Sequence, residues 1–151
     1  MLAPDAIFAR VQQALRTGLP AWLPSAHGYD EMPQVLDGAD RAHRSWSVQL
    51  PVSAPQAGRQ SRAPSQGLHF LTAVDVRWLY RLRTEQRDTD YQAALVDEQL
   101  ILHALCVTPT NAQLQLQLDG QITRRELPVS TGPMLLGEMH FSVPHQFALG
   151  A

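Results

Sequence analysis

Apolar and polar positions along the chain fall into two periods. From Pro4 to Thr17, Ile7, Phe8, Val11, Ala14 and Leu15 recur on one face at helical spacing, with Arg10, Gln12, Gln13, Arg16 and Thr17 opposite. This predicts an amphipathic surface helix that opens on Pro4 and stops at Gly18 and Pro20. Trp22 and Leu23 follow as apolar anchors. From Ser25 to Arg44 no period holds, and Gly28, Pro33 and Gly38 punctuate an irregular connection. At Ser45 the period becomes two: Trp46, Val48, Leu50 and Val52 alternate with Ser45, Ser47, Gln49 and Pro51. A strand is expected there, with Pro51 marking an edge position or a strand end.

The strip "SAPQAGRQSRAPSQG", Ser53 to Gly67, has no apolar residue larger than alanine or proline and is far longer than a hairpin turn needs. It reads either as an idle loop or as a flexible arm that orders against a partner. From His69 to Arg83 the alternation is the clearest in the chain. Phe70, Val74, Val76, Trp78, Tyr80 and Leu82 share one face, and Asp75, Arg77, Leu79, Arg81 and Arg83 the other. At about 3.3 Å per residue such a strand is near 50 Å long.

Capping residues in "TEQRDTD" lead into a helix from about Asp90 to Val107, whose polar strip is only Gln92, Gln99 and His103. So apolar a helix is covered on more than one side: by its own sheet, and by either the N-terminal helix or a neighbouring subunit. Leu114, Leu116 and Leu118 then alternate with glutamines, and Asp119-Gly120 predicts a hairpin turn before a return strand from Gln121 to about Val129. "STGP" turns the chain again. Met134 to Val143, with Leu135, Met139, Phe141 and Val143 on one face, predicts an internal strand. The expectation is a single α+β domain over 1–151: a mixed, mostly antiparallel sheet with a long β-hairpin, packed against two α-helices, with an extended flexible arm at about 53–67. No repeat of solenoid length is present.

The 151 residues suffice for one core without disulfides. Cys106 is the sole cysteine, which excludes an intrachain bridge and reads as a small buried hydrophobe in a reducing compartment. The start carries no recognisable export signal, and no apolar run reaches the ~18 residues of a membrane span. A formal net charge of −2 argues against a dedicated nucleic-acid binder. All twelve basic residues are arginines, and Arg59, Arg62, Arg77, Arg81, Arg83 and Arg87 crowd one window opposed only by Asp75 and Glu85. Asp30, Glu31, Asp37 and Asp40 form an acidic stretch with no base among them. These are either two solvated surfaces or complementary patches that dock one subunit on the next. On the second reading the interface candidates are Arg59, Arg62, Arg77, Leu79, Arg81 and Arg83, with Asp30, Glu31, Asp37 and Asp40 as their counterparts.

Catalytic chemistry finds no foothold. The six histidines have no cysteine or carboxylate at ligand spacing. No G-x-S-x-G is present, and "GPMLLGE" lacks the features of a phosphate loop. Asp97 and Glu98 are adjacent on a helix, so they point about 100° apart and cannot share a site. No catalytic, cofactor or metal residue is expected, and the chain reads as a non-enzyme.

The order of elements, the stretch "LTAVDVRWLYRLRTEQRDTDYQAALVDEQLILHAL" and the late strand "GEMHFSV" together resemble the tail terminator (tail completion) proteins of long-tailed bacteriophages and the related cap proteins of contractile injection systems. That resemblance implies a sheet packed on helices, assembled as a ring, commonly a hexamer, that ends tail-tube growth and joins the tube to the neck and head. The implied partners are copies of itself, the tail tube protein and neck or connector proteins, with passive contact with DNA in the lumen and no membrane. It further implies a virion component assembled in the host cytoplasm, with no cofactor. Other neck or head–tail connector proteins, and small adaptors that bind by strand addition, share the pattern.

Overall fold

Two strands of fourteen residues, β4 (Leu68–Arg81) and β7 (Met134–Phe147), set the frame. They pair antiparallel along their whole length, from Leu68 opposite Phe147 to Arg81 opposite Met134. The computed structural model describes residues 2–26, 28–32, 43–56, 67–107, 114–128 and 133–147. Around the central pair lie β1 (Leu23–Pro24), β2 (Ser45–Gln49), β3 (Ser53–Pro55), β5 (Gln117–Leu118) and β6 (Thr123–Leu127). Two helices, α1 (Pro4–Gly18) and α2 (Arg87–Cys106), complete an α+β fold, with a short 3-10 turn (Thr84–Gln86) leading into α2. The sheet is mixed but mostly antiparallel: among the described residues only the two-residue β1 runs parallel to its neighbour, β2.

Both flanks of the central pair are strands interrupted by a bulge. β2 and β3 run along the same edge of β4: Gln49 faces Asp75 and Ser53 faces Thr72. Three residues, Leu50, Pro51 and Val52, therefore stand against two, Ala73 and Val74. Pro51 occupies this bulge, where a missing N–H does least harm. The bulge also turns Val52 outward, 58% exposed, although the alternation placed it with Trp46 and Val48 on the apolar face. With β4, β2 and β3 form the long hairpin. The sheet thereby takes Ser53–Pro55 out of the expected arm, and the Gln56 N–H donates to the His69 carbonyl. Gly67 at the far end is buried against Gln146. Arg59 and Arg62 lie outside the described residues, as do Asp37 and Asp40.

The other flank corrects the sequence reading. Asp119-Gly120 does not turn a hairpin: β5 and β6 both pair antiparallel with β7, Leu118 opposite Phe141 and Thr123 opposite Glu138. The chain continues in one direction and inserts two extra residues, with Gly120 at φ +77° and the Asp119 N–H bonded to the His140 carbonyl. A dipeptide that tolerates positive φ suits a bulge as well as a turn. β7 outruns the expected Val143 and carries Pro144 opposite Leu71, beyond the described end of β5.

One sheet face bears the main core. Trp46, Val48, Val74, Val76, Trp78, Tyr80, Leu82, Leu135, Met139, Phe141 and Val143 meet Ile7, Val11, Ala14 and Leu15 of α1 and Ala94, Ile101 and Leu105 of α2. Phe8, expected on that face of α1, is instead 36% exposed. The helices close on each other at Gly18, where a Cβ would sit 2.5 Å from the Cβ of Ala104. Cys106 is exposed at the end of α2 rather than buried, since the helix ends beyond its last core residue, Leu105. No described helix is long and apolar enough to cross a membrane.

Candidate functional site

The opposite face of the sheet, expected to display Arg77, Leu79, Arg81 and Arg83, is partly roofed. Residues 28–32 fold over it. The Arg77 Nη1–H donates to the Tyr29 carbonyl at 2.8 Å, its guanidinium carbon lies 4.2 Å from the centroid of the Tyr29 ring, and its Nε donates to Glu138 at 3.1 Å. Glu138 is the residue directly across from Arg77 in the β4–β7 register, and Asp75 meets its own opposite number, His140, at 2.7 Å. Burial pushes the Tyr29 hydroxyl above its ordinary pKa, an effect that Arg77 partly offsets. Leu79 is not displayed at all. It is buried with Met32, Met134 and Leu136 in a second small core under the same roof. Asp30 and Glu31, in that roof, keep exposed side chains.

The arginine-rich window is therefore less unbalanced than its local sequence suggests, because its counter-charges come from elsewhere. Arg77 has Glu138, Arg83 has Asp90, and Arg87 has Asp88 and Glu126. Asp97 and Glu98 diverge as adjacent helical residues must. Asp97 faces Arg44, just before β2, with its Oδ2 3.6 Å from Nε. Glu98 takes two hydrogen bonds from Arg124 on β6, at 2.8 and 2.5 Å. The pair of carboxylates thus ties α2 to both flanks of the sheet.

At the end of β4 a pocket of about 280 Å³ is lined by His43, Arg44, Tyr80, Arg81, Arg83 and Asp90. Asp90 is buried and accepts from the Arg83 backbone N–H at 2.7 Å and from its Nε and Nη2 at 3.0 and 2.9 Å. These hydrogen bonds hold its carboxyl below the usual aspartate range. His43 accepts the Arg81 backbone N–H on Nδ1 at 2.9 Å, which leaves the proton of the neutral ring on Nε2. Burial first, and the neighbouring Arg44 next, hold its pKa below 6.5. The sequence had singled out Arg81 and Arg83 but not His43, Arg44 or Asp90. The first two arrive from a segment without periodicity, through pairing of Ser45 opposite Leu79.

A third surface lies on α2. Val96, Leu100 and Val107 are 53%, 48% and 66% exposed. At 100° per residue they and His103 fall within about 60° of one another, opposite the buried Ala94, Glu98, Ile101 and Leu105. α1 covers the Ala104 side of α2 and leaves this strip open. Beside it a groove of about 100 Å³ runs between Leu100, Asp97 and Arg44 and the turn from Gly18 to Trp22. Among the described residues, no three of His, Cys, Asp and Glu gather where a metal ion would need them.

No protein-family model and no curated protein matches this chain.

Proposed function

We propose that the chain is a structural subunit that assembles with copies of itself, as a tail terminator-like ring that caps a tail tube and joins it to the neck. The observation that carries this reading is the apolar strip of α2. Three large aliphatic side chains are held open on the helix face turned away from the core. Burying each of them against a second copy would stabilise the assembly by roughly 1.5 kcal/mol or more. Exposed acids at Asp30 and Glu31, over the other face of the sheet, and part-exposed arginines at Arg83 and Arg87, at the start of α2, place charges of both signs on separate surfaces, which would fix orientation between neighbours. The element order, with its long hairpin, fits the resemblance that suggested this class.

Strand addition is the weaker alternative. The open edges at β3 and at β5–β6 are short or broken by bulges, which blunts them as templates. Light scattering across a concentration series, followed by negative-stain imaging, tests the proposal. A closed ring of uniform mass supports it, and a monomer at every concentration up to the millimolar range overturns it.

A further inference from the structure

We propose that Ser53 is a reactive serine, an acyl-accepting nucleophile whose proton leaves through Thr72 to His145. Three strands bring these groups together. Ser53 on β3 is opposite Thr72 on β4, and His145 on β7 lies diagonally across from Thr72, two residues beyond its partner Val143. All three side chains share the face that carries the main core. The Ser53 and Thr72 hydroxyls meet at 2.7 Å, Thr72 Oγ1 lies 2.5 Å from His145 Nε2, and His145 Nδ1 lies 2.7 Å from the Leu2 carbonyl. Thr72 and His145 are buried, whereas Ser53 is exposed, so the series runs from the surface inward.

A carbonyl only accepts, so the neutral His145 ring carries its proton on Nδ1, and Nε2 is left as an acceptor. The Thr72 hydroxyl therefore donates to Nε2, and its oxygen accepts the Ser53 proton. Each proton is aimed one step inward, which leaves the lone pairs of the Ser53 oxygen available for attack. Phe70, stacked on the imidazole with ring centroids 6.0 Å apart, and the Leu2 carbonyl hold the ring in this orientation. The backbone adds a donor. The Ala73 N–H donates to the Val52 carbonyl and the Gln56 N–H to the His69 carbonyl. By the alternation of an antiparallel ladder, the Ser53 N–H then turns toward the outer edge of β3, where no strand pairs among the described residues.

With a carboxylic ester or thioester, Ser53 Oγ forms a bond to the carbonyl carbon while its proton passes to Thr72 and the Thr72 proton passes to His145 Nε2. The imidazolium keeps its bond to the Leu2 carbonyl, and the Ser53 N–H is placed to receive the oxyanion. Collapse breaks the bond to the leaving alkoxide or thiolate, which takes one proton back along the same route. An acyl serine and an alcohol or thiol are formed, and no oxidant or further reactant is consumed. This inference is independent of ring formation.

Incubation of the intact protein with p-nitrophenyl acetate tests it, with peptide mass mapping to locate the acetyl group and release of p-nitrophenol to give the rate. Acetylation of Ser53 ahead of the other serines is expected, and Ser53→Ala should remove it. Thr72→Val and His145→Gln should each slow it at least tenfold, whereas Thr72→Ser, which keeps the hydroxyl, should retain most of the rate. In mixtures of light and heavy water the wild-type rate should fall along a curve, as two protons in flight require, a readout that a purely structural network does not move. If Thr72→Val or His145→Gln fails to fold, that curve decides. No acetyl group on Ser53, a wild-type rate in folded Thr72→Val or His145→Gln, or a straight line in the water mixtures overturns the proposal.

Discussion

Gly137 stands directly opposite Trp78 in the β4–β7 register, and a Cβ at Gly137 would fall inside the Trp78 indole. Glycine is required here for space, because the buried Trp78 ring packs against the β7 backbone at this position and makes a T-shaped contact with Trp22. Gly137→Ala should destabilise the fold by about 3 kcal/mol, at the upper end for overpacking, since no flexible side-chain end is available to yield. Gly28→Ala, with nothing within 4 Å of the added methyl, should change stability by less than about 0.5 kcal/mol. Urea unfolding of the two variants checks the contrast.

The Glu98–Arg124 pair makes a second test, because its two halves are unequally buried: the Glu98 side chain is 5% exposed and that of Arg124 34%. Arg124→Met strands a carboxylate beneath the helix and should cost about 3 kcal/mol. Glu98→Met in the same chain should recover most of that loss, as two apolar groups replace a desolvated ion pair. A double-mutant cycle by urea unfolding measures the coupling, and additive losses would show that the pair does not act as a unit.

Acid should weaken the fold through two groups of opposite kind. Asp90 titrates lower in the folded chain than in the unfolded one, where aspartate has a pKa of about 3.9, so its contribution is whole above about pH 4 and fades as the pH falls through its folded value. His43 also titrates lower when folded. Below 6.5 the unfolded chain therefore binds the extra proton first, and stability declines as the solution is acidified. Asp90→Asn should lower the urea midpoint at pH 7, with the gap to wild type closing below about pH 4. His43→Gln should flatten the profile just below pH 6.5. A wild-type slope retained in His43→Gln would assign that titration elsewhere.

The alternation from Phe70 to Leu82 and the helical face of Ile7, Val11 and Leu15 made the main core legible, because burial on one side writes a period into the chain. What stayed hidden depends on pairing across long sequence distances. Leu79 looks like a solvent-facing residue until Met32, from an aperiodic segment, is seen to cover it. Asp119-Gly120 carries the same local signal for a turn and for a bulge, and only the register with His140 distinguishes them. The pocket joins His43 and Arg44 to Arg81 and Arg83 through antiparallel pairing, which no spacing in the sequence announces. The apolar circumference of α2, by contrast, was visible, and it is the feature on which the proposed association rests.

That strip gives the most direct test of assembly. Val96 and Leu100 point away from the core, so Val96→Gln and Leu100→Gln remove little from the isolated subunit, less than about 0.5 kcal/mol each. If copies of the chain meet through α2, the same changes replace apolar contact with buried amides that lack partners, and each should weaken association by roughly 1 to 3 kcal/mol per interface. A closed ring repeats the interface at every subunit, so the losses multiply, and the double variant should scatter light as a monomer at concentrations where the wild type is assembled. Gln121→Ala, exposed in the bulge between β5 and β6, should leave the mass unchanged. An assembled double variant with wild-type mass would exclude this face of α2 from the interface.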